Sequence, residues 1–246
     1  MTTDLLVIAV AVFLFAGTLK GMVGMGLPVT SVGILSLVTD PRTAVTMAIL
    51  PIFVSNIWQI YRAGAVRSAL ANYWPFAVAL FIVMLPATAL APRLQIETLT
   101  LVLGIAIVLF SITSLVAPPF KLPERYDRLW QTGGGALSGL LGGLTAIWSP
   151  PMVIYFLSRG LGKDEFIRAS GLLFFVGGVP LVIGYIANGL LNAQTAPGSA
   201  LMIVPALIGF GLGERIRRHL HDQRFRTAVL IMFLVMGLNL LREALF

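Results

Sequence analysis

With 246 residues, 58% of them hydrophobic and only 11% charged, and a mean hydropathy of +0.94, the chain is far more apolar than a soluble core requires and reads as an integral membrane protein. No polar stretch is long enough for a separate soluble domain, and the net charge of +7 becomes a matter of which membrane face carries it rather than a nucleic-acid signal. The lack of cysteine excludes disulfides, thiolate catalysis and cysteine metal sites.

Apolar runs of about 15 to 22 residues without period-2 alternation call for helices and argue against a β-barrel. The opening MTTDLLVIAV has no basic residue before its apolar run and no A-x-A site after it, so a retained helix is expected there. Hydropathy and Pro/Gly breaks predict ten segments, near 5–19, 27–39, 43–61, 69–91, 98–117, 129–143, 144–158, 166–188, 197–213 and 226–245. The shortest cover about 20 to 23 Å against a hydrocarbon core of about 30 Å, so they cross only if helix continues through the glycine breaks. The alternative is a re-entrant hairpin that returns to its starting side. Loop sidedness is the same either way.

One face then carries Arg62, Arg67, Lys121, Arg125, Arg128, Arg159, Lys163, Arg168, Arg215, Arg217, Arg218, Arg224 and Arg226, thirteen of the seventeen basic residues. Arg42, Arg93 and Arg242 fall on the other, and Lys20 in neither group. The positive-inside rule makes the first face cytoplasmic and leaves both termini outside.

The stretch GTLKGMVG in the first half matches GALSGLLG in the second, pairing Gly17 with Gly135, Gly21 with Gly139, Gly24 with Gly142 and Lys20 with Ser138. Ala44 similarly aligns with Ala169, Gly64 with Gly189, and APRL (91–94) with GERI (213–216). The division is a first membrane repeat over 1–117, a cytoplasmic linker over 118–127 and a second repeat over 128–246. Five segments per half is an odd number, so the second half enters from the opposite face. The expected fold is an all-α integral membrane protein of two inverted-topology repeats, with short or broken helices meeting near the midplane, as in secondary transporters. Close helix packing through Gly-x-x-Gly faces is the competing account of the glycines, but it leaves the lysine unexplained.

GMVGMGLPVTSVGIL and GLLGGLTAIWSPPMVIYFL, each a Gly-rich turn followed by a proline-led helix, together with the length and the linker APPFKLPERYDR, resemble the TauE/SafE family of sulfite and organosulfonate exporters over essentially the whole chain. The usual Gly-Gly-Gly run is here Gly24-Met25-Gly26-Leu27-Pro28 and Gly142-Gly143-Leu144-Thr145. The resemblance implies export of a small sulfur oxyanion or organosulfonate, such as sulfite or sulfoacetate, across the bacterial cytoplasmic (inner) membrane.

A lysine at membrane depth is either functional or long enough to snorkel to an interface. In the functional reading Lys20 supplies the charge, and backbone around Gly21, Gly24, Gly26, Gly142 and Gly143 supplies hydrogen bonds and positive helix ends. Thr30, Ser31, Ser138, Thr145 and Ser149 offer hydroxyls, Asn56 and Gln59 sit one turn apart, and Trp148 can wall the site. Each can equally serve helix packing. Arg42 and Arg168, at near-equivalent places on opposite faces, are candidate vestibule residues, with ordinary flanking charge as the alternative.

All ten acidic residues fall in loops or at segment ends, which does not support a membrane carboxylate relay. Enzymatic chemistry is not expected: His219 and His221 lie in the basic loop, ALSG lacks a serine-protease spacing, and paired intramembrane aspartates are missing. The histidine pair is read as solvated or lipid-facing, and no metal or cofactor is expected. The partners expected are a small anion and the lipid bilayer, with no nucleic acid. A homodimer is the base-rate expectation. Two other functions fit the hydropathy: a non-enzymatic assembly factor for another membrane complex, and an importer of a different small solute.

Overall fold

The computed structural model describes residues 3–64, 66–116, 123–217 and 223–245. Lys121, Arg218, His219, His221, Asp222 and the first half of the linker, 118–122, lie outside the described residues. The described residues are helical, with no strand among them. The helices are α1 (Thr3–Val23), α2 (Leu27–Leu35), α3 (Pro41–Ala63), α4 (Val66–Thr88), α5 (Ile96–Leu115), α6 (Asp127–Thr145), α7 (Ser149–Ser158), α8 (Lys163–Ala187), α9 (Ala196–Leu201), α10 (Ile203–Arg217) and α11 (Gln223–Leu245). Six stretches are long and apolar enough to cross a membrane: 4–23, 41–62, 67–88, 96–115, 168–187 and 196–216. The protein is a multi-pass helical membrane protein.

Four predicted segments differ in extent. The one expected over 5–19 continues to Val23, which carries Lys20 within its last turn. The stretch expected over 27–39 is helical only to Leu35. The one expected from residue 144 starts at Ser149, because Ala146 takes a left-handed conformation (φ 59) that ends α6, and Pro150 and Pro151 suit only the first turn of the next helix. The segment expected over 197–213 is divided at Met202 into α9 and α10.

Both short helices fold back. Lys20 touches Ser55 and Asn56, and Gly24 touches Gln59, so α1 and α3 run the same way and α2 must return the chain. At the end of α7, Tyr155 Oη donates to Asp127 Oδ1 at 2.8 Å, and Arg159 Nε lies 3.3 Å from the same oxygen. The end of α7 therefore meets the start of α6. Gln131 Nε2 binds the other Asp127 oxygen at 2.7 Å, completing the tether. Asp127→Ala removes all three partners, and a loss of about 2 kcal/mol is expected for hydrogen bonds to a charged group. It should appear as a lowered melting temperature in detergent, and an unchanged one would contradict the tether.

Glycine sets the helix spacing. A Cβ on Gly17 would strike the Ala206 carbonyl, and one on Gly21 the Phe210 carbonyl, so α1 and α10 lie backbone to backbone. From the other side Gly209 and Gly213 face the Leu14 and Thr18 carbonyls. In α6, Gly135 faces Phe76, a Cβ on Gly139 would lie 2.7 Å from the Leu80 oxygen, and one on Gly143 2.8 Å from that of Met84. Residue numbers rise together in both pairs, so each runs parallel. By contrast, α5 and α11 are antiparallel, Gly104 lying against Leu241 and Phe110 against Phe233.

The break at Pro51 is repaired from a neighbouring helix. Pro51 cannot bond the Met47 carbonyl, and Ser199 Oγ donates to it at 3.1 Å while accepting from Leu50 N at 3.1 Å. This fixes α9 against the middle of α3. The break at Tyr73 (φ −119) sits two residues before Pro75 in α4.

Candidate functional site

The last turn of α1 carries Lys20 into the interior, where it is 2% exposed. Its Nζ donates to Ser55 Oγ at 3.0 Å and to Asn56 Oδ1, and sits 5.8 Å from the centre of the Phe174 ring. The ammonium is turned inward rather than snorkelling to an interface. Among the described residues no carboxylate pairs with it, so a buried cation in a stretch apolar enough to cross a membrane is held by neutral dipoles and a ring face alone.

Lys20 lines a small cleft with Met25, Gly26, Pro28, Asn56, Trp148, Ser149 and Phe174. Both chain breaks therefore meet at one place. Gly24 (φ 85) and Gly26 (φ 106) make the first turn, and a Cβ at Gly26 would meet nothing within 4 Å, so the backbone there is open. Pro28 and Ser149 bring the starts of α2 and α7 to the cleft, and helix starts present positive dipole ends. The free space is no more than water-sized, so it does not hold a larger solute in this conformation.

Two further side chains complete the walls. Trp148 is 1% exposed, meets Phe174 edge-on with ring centroids 6.0 Å apart, and its buried Nε1 donates to nothing. Asn56 Nδ2 donates to the Phe174 carbonyl at 2.9 Å, tying α3 to α8 behind the lysine.

Compared with known proteins, the chain matches the family described as sulfite exporter TauE/SafE over residues 9–240. The chain belongs to the TauE/SafE family. Its members are membrane transporters. No curated protein and no solved structure matches the chain.

Of the residues singled out from the sequence of this TauE/SafE protein, Lys20, Gly26, Asn56, Trp148 and Ser149 line the cleft. Gln59 sits just beyond, its Nε2 donating to the Gly24 carbonyl at 3.0 Å while its Oε1 is buried without a partner. The Thr30 and Ser31 hydroxyls donate to the Gly26 and Leu27 carbonyls at 2.8 and 2.7 Å, so their protons are spent within α2. Gly21 faces α10, Gly143 faces α4, and Gly142 lies under Trp148, whose Cβ would be 2.9 Å from an added Cβ. Ser138 is fully buried with an unpartnered Oγ, away from the cleft lining. Thr145 and Arg42 line a different cleft, and Arg168 is exposed at the start of α8.

Sequence reasoning missed Ser55 and Phe174. Ser55 precedes Asn56 and sits one turn before Gln59, so polar spacing on α3 pointed to it. Phe174 lies in an apolar run with no distinguishing signal.

Proposed function

We propose that this TauE/SafE protein exports a small sulfur oxyanion or organosulfonate, such as sulfite or sulfoacetate, by alternating access around Lys20. The observation that carries the reading is a buried lysine held only by neutral partners, at the meeting point of two broken helices. An anion entering there supplies the missing negative charge and meets the starts of α2 and α7. Lys20, Gly26, Asn56, Trp148 and Ser149 form the core of this site, backed by Gly24 and Gln59, with the Trp148 N–H as a donor awaiting an acceptor.

The reciprocal packing supports an inverted repeat over 1–117 and 128–246, joined by the linker at 118–127. In that scheme α6 is the counterpart of α1, and α4 the counterpart of α10; α1 lies on α10 and α6 on α4, both through glycine faces. Rocking of one half against the other widens the closed cleft toward each side in turn. The basic face is cytoplasmic and both termini lie outside, in a bacterial inner membrane. Arg168 and Arg42 stand at the two mouths. Among the described residues no carboxylate lines the cleft, and export is electrophoretic uniport or only weakly coupled, the membrane potential supplying about 2.3 kcal/mol per elementary charge per 100 mV.

The test is thermal stabilisation of the detergent-purified protein by sulfite, sulfoacetate, taurine, sulfate, acetate and chloride. Sulfite or a sulfonate at a hundredfold excess over its Kd should stabilise the fold by about 2.7 kcal/mol and raise the melting temperature. No shift with any of the anions would refute the reading.

A further inference from the structure

A second cleft lies on the other side of the α6–α7 turn. Its walls include Arg42 and Val45 near the start of α3, Leu99 and Leu103 of α5, Thr145 at the end of α6 and Tyr185 near the end of α8. Arg42 is its one charged lining residue. Arg42 Nη2 donates to the Leu94 and Pro92 carbonyls at 3.0 and 3.4 Å, which anchor the guanidinium without neutralising it. Its Nε is buried and makes no hydrogen bond. Asp40, two residues earlier, is engaged as the cap of α3, accepting from Thr43 N at 3.0 Å, and among the described residues no carboxylate pairs with Arg42.

Opposite stands Tyr185, 1% exposed, its hydroxyl resting on the Gly143 carbonyl at 3.3 Å. That long contact is readily exchanged for a charged acceptor, because hydrogen bonds to ionised groups are shorter and stronger. A guanidinium lacking a counter-ion, one unmade N–H bond and a rotatable phenol, set among apolar walls, make a donor set for an oxyanion.

The two clefts are separated by very little chain. Thr145 lines this one, while Trp148 and Ser149 line the cleft of Lys20, so only the turn through Ala146 and Ile147 divides them. Both residues are fully buried, and Ala146 is the one non-glycine with positive φ among the described residues. A strained backbone at a partition is suited to switching between two arrangements.

We propose that the Arg42–Tyr185 cleft is a second binding station for the transported oxyanion, divided from the Lys20 cleft by the α6–α7 turn. The proposal rests on the transport reading above and adds to it a separate site on the side away from the basic face.

The test is equilibrium binding of radiolabelled sulfite, kept reduced, to the full chain in lipid nanodiscs. Wild type should bind two sulfites per chain. Arg42→Gln should bind one, with the remaining affinity within about twofold of wild type, and Lys20→Gln should bind one through the Arg42 station. Tyr185→Phe should weaken only the Arg42 step, by about tenfold for loss of a hydrogen bond to a charged group. If Arg42→Gln does not fold, Arg42→Lys keeps the charge but not the fork and should weaken the same step by about tenfold. A single sulfite per chain, lost in Lys20→Gln and indifferent to Arg42 and Tyr185, would overturn the second station and leave the transport reading standing. No sulfite bound by wild type would overturn both.

Discussion

Lys20→Met should abolish sulfite transport in proteoliposomes, by a hundredfold or more, without unfolding the protein. The two effects have separate physical origins. A buried cation with no counter-ion is costly in a membrane interior, by roughly 2.5 to 3.5 kcal/mol on insertion scales, and methionine of similar length removes that cost. Against this, Asn56 Oδ1 loses its donor, at about 1 to 3 kcal/mol, whereas Ser55 keeps its bond to the Ile52 carbonyl at 3.0 Å. These terms are of similar size, so the empty variant should melt near the wild-type temperature or above it. Transport has no such compensation, since an anion then faces a cleft with no net positive charge. Sulfite efflux and the ligand-free melting temperature, measured on one preparation, decide the matter. Efflux within about twofold of wild type would remove Lys20 from the substrate site, and a large fall in melting temperature would make it a structural strut.

The second large effect is expected at the glycine faces. Gly21→Val and Gly139→Val should each prevent accumulation of monodisperse protein, because the new side chain would meet helix backbone, the Phe210 carbonyl in one case and the Leu80 carbonyl at 2.7 Å in the other. Backbone cannot swing away as a side chain tip can, so α1 must separate from α10, or α6 from α4. Overpacking of this kind costs typically 1 to 3 kcal/mol, and more where nothing yields. Gly133→Ala is the control. Nothing lies within 4 Å of a Cβ there, and alanine gains roughly 0.8 to 1 kcal/mol of helix propensity over glycine. Size-exclusion profiles and melting curves should therefore separate the three variants. A Gly21→Val protein that melts like wild type would show that the α1–α10 contact is not tight.

The two predictions divide the motif GTLKGMVG between two tasks. Gly17 and Gly21 face α10 and set helix spacing, while Lys20, between them in sequence, is turned to the side of that face and reaches the cleft. An α-helix places residues one apart about 100° around its axis, so one short stretch serves packing and polar chemistry at once. Packing and site formation, competing accounts of the motif at the level of sequence, apply to different residues within it.

The sequence by itself determined the class of the molecule and the positions of its breaks. Hydropathy and the run lengths settled a helical membrane protein, Gly24, Gly26 and Pro28 marked the first restart, the second break was placed only to within about five residues, and Lys20 stood out as a charge without a loop. These are local properties, readable from neighbours along the chain. Only the tertiary structure decided that α2 and α7 fold back, that the Thr30 and Ser31 hydroxyls are spent on their own helix, and that Ser55 and Phe174 join the lysine. Lys20 is separated from Ser55 by 35 positions, and Asn56 from Phe174 by 118. Which faces meet across such distances depends on how glycine faces let whole helices approach, and a one-dimensional pattern of apolar residues does not encode that choice.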